Sequence, residues 1–285
     1  MTTLMIIGIG LVCGILIYIA FAKIPNKVQG LEKTEEIKDV LPGLNCGACG
    51  YAGCFGLAEA LTKNPELIRD CPCTFVLQDE ERLKKLGELL GVKLDASAMR
   101  KKAVVKCSGN SEIIYDYQGP QSCKANVLHY NGRKKCPYAC LGFGDCVKVC
   151  PVGAISIDEE KKAAVVDPEK CTGCGLCVKE CPQNIIELVP ESTKVVYRCS
   201  YEPLRDIPGR EKCDFGCIHC RKCFKACEEE GIHAIEWDKK NARPIIDQDK
   251  CTLCRKCIVA CPQNTLAEFA QISKINNDNK ERVKC

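Results

Sequence analysis

Cysteine spacing constrains this chain more than any other feature. Of 285 residues, 27 are cysteine, and most fall in tight runs separated by two or three residues. So high a cysteine load in a short secreted chain marks a disulfide scaffold. Here the chain is long and neighbouring cysteines are too close to staple distant loops. The runs therefore read as thiolates converging on metal. Thiols kept for metal suit a reducing compartment, which places the bulk of the chain in the cytoplasm.

Two runs carry the pattern C-x2-C-x2-C-x3-C-P: Cys171, Cys174, Cys177 and Cys181, then Cys251, Cys254, Cys257 and Cys261. Three cysteines at two-residue gaps wrap one corner of a [4Fe–4S] cube. The fourth is carried too far round to close the same cube and ligates the other cluster of a pair. The spacing resembles that of bacterial two-cluster ferredoxins. Each run is preceded by a half with its own cysteines, Cys136 to Cys150 and Cys213 to Cys227, so one unit is used twice.

Pairing the halves gives four expected quartets. Cys150 joins Cys171, Cys174 and Cys177, while Cys136, Cys140 and Cys146 join Cys181. In the second repeat Cys227 joins Cys251, Cys254 and Cys257, while Cys217, Cys220 and Cys223 join Cys261. The spacing C-x3-C-x5-C at Cys136, Cys140 and Cys146 departs from the regular form. Cys213 is left spare, and its alignment with Cys136 makes it an alternative to Cys217 or Cys220. Cys213, Cys217 and Cys220 also fit the radical-SAM spacing, but too little chain follows them to build the barrel which that chemistry needs.

A further quartet is expected at Cys46, Cys49, Cys54 and Cys71, in a module with glycines at 43, 47, 50, 53 and 56. Glycine lets backbone N–H groups approach sulfur closely. Zinc also suits four cysteines, but company with four ferredoxin-type sites favours iron–sulfur, for five [4Fe–4S] clusters in all. Cys73 is close enough to Cys71 to be confused with it. Cys13, Cys107, Cys123, Cys199 and Cys285 read as buried or incidental thiols. Cys107 and Cys123 are too few for a centre of their own.

Other chemistry is missing. No G-x-G-x-x-G follows an expected strand, no phosphate-binding G-x-x-x-x-G-K-[ST] occurs, and the three histidines have no hydrolase spacing. The chain therefore has no site for nicotinamide, flavin or hydrolysis, and a partner must perform any two-electron step. The formal charge is +4. Each four-thiolate cluster carries about −2, so five bring the loaded chain to about −6, and nucleic acid is not an expected partner. Lys134-Lys135, Arg221-Lys222 and Arg255-Lys256 flank the cluster loops as candidate docking points for an acidic protein.

Leu4 to Ala22 contains no charged side chain and is long enough to span a bilayer as a helix. Lys23 and Lys27 follow it at once, so the C-terminal part belongs on the cytoplasmic side of a single-pass protein in the inner membrane, held in lipid by this helix. Ala20-Phe21-Ala22 is also compatible with signal-peptide cleavage, but no basic residue precedes the apolar run. The expected fold class is α+β: anchor 1–22, connector 23–40, cluster module 41–92, linking segment with short strands 93–135, ferredoxin-like repeat 136–189, linker 190–212, second repeat 213–270 and tail 271–285. Residues 79–90 read as an amphipathic helix, with acids early and leucines at helical spacing.

This order of parts resembles the B subunits of Rnf complexes, the ion-translocating ferredoxin:NAD⁺ oxidoreductases of bacteria and archaea. LPGLNCGACGYAGC (41–54) and CPYACLGFGDCVKVCP (136–151) carry the resemblance most specifically. It implies an electron-transfer subunit that accepts electrons from soluble reduced ferredoxin and relays them through sister subunits toward NAD⁺, while Na⁺ or H⁺ is moved. The second ferredoxin-like repeat is an extension that shorter family members lack. Two rival readings are a sister complex that reduces a redox-sensing transcription factor, and a structural zinc protein.

Overall fold

The computed structural model describes residues 13–15, 17–19, 25–70, 73–95, 99–202 and 211–272. The chain divides into two compact units, with the boundary between residues 96 and 97. Most of the expected span Leu4–Ala22 lies outside the described residues, as does Cys71. Among the described residues, no helix is long and apolar enough to cross a membrane.

The first unit is helical. Helix α1 (Pro25–Val40) is strongly polar, yet Thr34, Ile37, Val40 and Leu41 recur on one side and are buried. It packs against α2 (Gly53–Lys63), where the hydroxyls of Thr34 and Thr62 lie 3.0 Å apart. The expected connector over 23–40 is thus largely a structural helix. After α3 (Leu67–Asp70) comes α4 (Glu80–Leu90), which matches the amphipathic helix expected there. The Asp79 side chain accepts from the Arg82 amide at 3.1 Å and Gly91, left-handed at φ 69°, ends it. Leu83, Leu86 and Leu90 are buried, worth roughly 1.5–3 kcal/mol each.

The second unit contains the repeat. Its elements are β1 (Lys101–Val105), α5 (Cys123–Val127), α6 (Asp145–Lys148), β2 (Ile155–Asp158), β3 (Ala163–Val166), α7 (Leu176–Glu180), β4 (Ile186–Pro190), β5 (Val195–Tyr197), α8 (Lys222–Glu229), β6 (Ile235–Asp238), β7 (Arg243–Ile246), α9 (Lys256–Val259) and β8 (Leu266–Glu268). The strands form four antiparallel pairs: β1 with β4, β2 with β3, β5 with β8, and β6 with β7. Each repeat is therefore a hairpin plus one long-range pair.

That pairing changes the expected boundaries. The segments 93–135 and 190–212 are not only links, because β1 and β5 lie in them and close the two repeats. Only one strand forms among the described residues of the first segment, and the rest is turns and α5. The apolar residues Ala103, Val105, Ala164, Val166, Ile185 and Ile186 pack with cysteines Cys140, Cys146, Cys171 and Cys177 in one core. Val195, Tyr197, Ala234, Ile235 and Leu266 do the same around Cys227, Cys251 and Cys257. The thiols are thus part of the hydrophobic interior.

Candidate metal centres

Each repeat fixes its cysteine loops with the same devices. Asp158 and Asp238 accept the amides that turn the hairpins, at 2.9–3.1 Å. Asp167 and Asp247 do so just before Cys171 and Cys251, at 3.0 Å. The buried Lys102 ammonium donates to the Cys171 carbonyl at 2.8 Å, and Lys194 donates to the Cys251 carbonyl at 2.5 Å. Gly173 has φ 71°, and a Cβ there would collide with the Lys101 carbonyl.

In the second repeat, two pockets are lined by cysteines. One pocket is lined by Cys217, Cys220, Cys223 and Cys261. Another is lined by Cys227, Cys251, Cys254 and Cys257. Burial pushes the Cys223 thiol up to about 12, aided by the charges of Cys261, Cys217 and Cys220. Burial likewise raises Cys257 to about 11, with Cys251, Cys254 and Cys227 contributing.

In the first repeat, burial raises Cys177 to about 12, and the neighbours that add to it are Cys171, Cys174 and Cys150. These four are the expected quartet. The other pocket is lined by Cys123, Cys140, Cys146 and Cys181. Cys136, expected here, does not line it. Burial raises Cys146 to about 12, and the thiols that add to the shift are Cys123, Cys181 and Cys177. Cys136 instead makes a thiol–thiol hydrogen bond with Cys213.

Cys123 escapes the spacing argument because it stands in no local run. A signal exists: the two repeats share C-x3-C-x5-C-x3-C at Cys136 and Cys213, but Phe143 occupies the place that Cys220 holds. In the pocket of the first repeat the fourth thiol is that of Cys123. Cys123 opens α5, whose entry is tied to Asp145 by the Ser122 hydroxyl at 2.7 Å and the Lys124 amide at 3.2 Å.

Backbone amides converge on the sulfurs. Ala103 donates to Cys171, Ala154 to Cys150, Ala164 to Cys140 and Ala234 to Cys227, each at 3.3 Å. Amides directed at sulfur stabilise thiolate and tune a bound cluster. Among the described residues, no three His, Cys, Asp or Glu side chains close on a point as they would around a single ion. Four thiolates on one cube bind four separate irons and stand wider apart. Buried thiols gathered in fours, with backbone amides directed at their sulfurs, fit a polynuclear iron core. No described cysteine is in a disulfide.

In the first unit, Gly43, Gly47, Gly50 and Gly53 all have positive φ, between 66° and 90°. The expected glycine-rich turn is therefore a run of left-handed positions. Asn45 accepts from the Cys54 amide at 2.8 Å. Burial raises the Cys73 thiol, and the charges of Cys49 and Cys54 add to it, so Cys73 stands beside two expected ligands.

Family models described as 4Fe-4S dicluster domains match residues 135–185, 170–233 and 214–267. A model for an Fe-S cluster domain matches 41–73. The B subunit of the ion-translocating oxidoreductase complex of Methanosarcina acetivorans is 35% identical over 91% of this chain and 94% of its own length. The chain belongs to the family of these B subunits. Two other members are the B subunit of the Na⁺-translocating ferredoxin:NAD⁺ oxidoreductase complex of Acetobacterium woodii, 36% identical over 94% of this chain and 78% of its own, and that of the proton-translocating ferredoxin:NAD⁺ oxidoreductase complex of Clostridium ljungdahlii, 30% identical over 85% and 82%. Like other B subunits it is an iron–sulfur electron-transfer subunit of an ion-translocating oxidoreductase complex, with [4Fe–4S] sites and sister subunits as partners.

Of the basic pairs expected to dock a partner, Lys134 is excluded, being 1% exposed with its ammonium donating to the Lys162 carbonyl at 3.1 Å. Arg221 lies over the Trp237 ring, Arg255 pairs with Glu268 at 2.8 Å and Lys256 with Glu230 at 3.3 Å.

Proposed function

We propose that this B subunit takes electrons from reduced soluble ferredoxin and passes them through sister subunits toward NAD⁺. The observation that carries this reading is similarity over 94% and 85% of this chain to two B subunits whose complexes are named for ferredoxin and NAD⁺. Those two complexes translocate different ions, so the coupling ion does not transfer.

Five clusters are held by Cys46, Cys49, Cys54 and Cys71; by Cys123, Cys140, Cys146 and Cys181; by Cys150, Cys171, Cys174 and Cys177; by Cys217, Cys220, Cys223 and Cys261; and by Cys227, Cys251, Cys254 and Cys257. A bound [4Fe–4S] core takes up or releases one electron. The residues of this chain fix the sulfurs, exclude water and donate amides. Cys220 and Cys254 are the exposed ligands of the repeats, so the second repeat offers its centres to a soluble donor. The uncharged segment Leu4–Ala22 anchors the chain in lipid with its cysteine modules on the cytoplasmic side.

The test is NAD⁺ reduction by the purified complex with chemically reduced ferredoxin. Turnover that disappears when this chain is left out supports the reading. Equal turnover without it overturns the reading.

A further inference from the structure

Four cysteines remain after those quartets within the second unit's described residues: Cys107, Cys136, Cys199 and Cys213. Their placement is not incidental. Cys107 follows β1, Cys199 follows β5, and the two face each other in an antiparallel bridge. Cys136 and Cys213 open the matching C-x3-C-x5-C-x3-C segments of the two repeats, and their thiols are hydrogen-bonded. A Cβ built on Gly216 would meet the Cys213 sulfur at 3.3 Å and the Cys199 sulfur at 3.6 Å. The Cys136 thiol also feels the charge of Cys107. Each repeat thus contributes the same two cysteines to one place.

Their surroundings match those of the other ligands. The Cys140 amide donates to the Cys107 sulfur at 3.4 Å, and the Cys217 amide donates to Cys199 at 3.5 Å. Amides two residues on serve Cys136 from Tyr138, Cys199 from Tyr201 and Cys213 from Phe215. The ligand Cys217 has the same arrangement, from the His219 amide at 3.4 Å. Two buried cations face the group. Lys134 senses Cys107 and Cys213, and Arg198, 6% exposed, senses Cys107. Buried cations need countercharge, and four thiolates on an iron–sulfide core supply about −2. Lys135 and Glu211, one residue from Cys136 and two from Cys213, pair at 3.4 Å across the join.

We infer that Cys107, Cys136, Cys199 and Cys213 hold a further [4Fe–4S] cluster, shared between the two ferredoxin-like repeats. It deepens the electron-transfer reading and rests on it. The site has a definite place in the series of quartets. One backbone amide, from Cys140, joins it to the Cys123 quartet. Another, from Cys217, joins it to the Cys261 quartet. The buried Tyr197 hydroxyl lies against both Cys199 and Cys217. Backbone amides of ligand cysteines from both repeats thus meet at this site.

The test is the iron and labile-sulfide content of the anaerobically prepared full chain, with native mass spectrometry to count clusters. Six clusters, about 24 irons per chain, are expected. Cys107→Ser and Cys213→Ser should each lose about four irons, and the double variant should lose no more than either alone. A wild-type count of five clusters overturns the inference and leaves the electron-transfer reading standing, as does one zinc beside about 20 irons. The wild-type count is informative even if a variant fails to fold. Absence of labile sulfide overturns both readings.

Discussion

The hydroxyl of Ser122 donates to the carboxylate of Asp145 at 2.7 Å, bringing the turn before Cys123 against the turn that carries Cys146. Asp145 is buried and also accepts the Lys124 amide. Replacing it with alanine should cost about 1–3 kcal/mol through the stranded donors. It should also release the iron of the Cys123 quartet. Thermal melting and iron analysis check both outcomes.

The same carboxylate sets a pH dependence. Burial alone would raise its pKa, but the Ser122 hydroxyl, the Lys124 and Cys123 amides and the Lys148 charge outweigh that and hold it below the usual carboxylate range. A depressed carboxylate contributes stability that is complete above about pH 4 and is lost as pH falls through its folded value. Denaturant midpoints measured from pH 6 to pH 3 should fall less steeply for Asp145→Asn than for the wild type.

Cys123→Ser should lose about four irons per chain while Cys73→Ser keeps those of the second unit unchanged. Iron and sulfide analysis with EPR of the reduced protein reads this. Full iron retention in Cys123→Ser would return the Cys181 quartet to its sequence-based form with Cys136.

Lys102→Met removes a buried ammonium from the Cys171 carbonyl, where it also pairs with Glu191 at 3.3 Å. A lost charged hydrogen bond is worth about 1.5–3 kcal/mol. Removing positive charge disfavours the reduced cluster, so the potential of the Cys171 quartet should move negative. An EPR redox titration measures the shift, and Lys194→Met should act likewise at Cys251.

Gly173→Ala should destabilise the fold, because its left-handed backbone and the facing Lys101 carbonyl leave no room for a Cβ. The left-handed conformation alone costs roughly 1–2 kcal/mol. A lowered melting temperature is expected, while alanine at Gly153, where nothing lies near, should show the backbone cost alone.

Much of this is legible in the sequence, because iron–sulfur ligation is written locally. Cys251, Cys254 and Cys257 announce their loop, and Cys227 follows from the repeat. The helix over 79–90 is legible from its cap and its leucines. The rest depends on contacts between distant residues. Cys123 reaches its pocket through Asp145, and Cys107 meets Cys199 through strand placement, neither of which leaves a spacing signature. Helix α1 is hard to read because its buried stripe includes Thr34, whose hydroxyl is matched by Thr62 and not by an apolar pattern. Lys134 has the sequence character of surface charge, and only its burial and its carbonyl partner exclude that role.

The facing of Cys107 by Cys199 binds the fates of the two halves. Any lineage that discarded the second repeat would strand Cys107 and Cys136 as purposeless thiols, so the four cysteines should be inherited or shed together. Relatives that lack the second repeat are where that joint loss should appear.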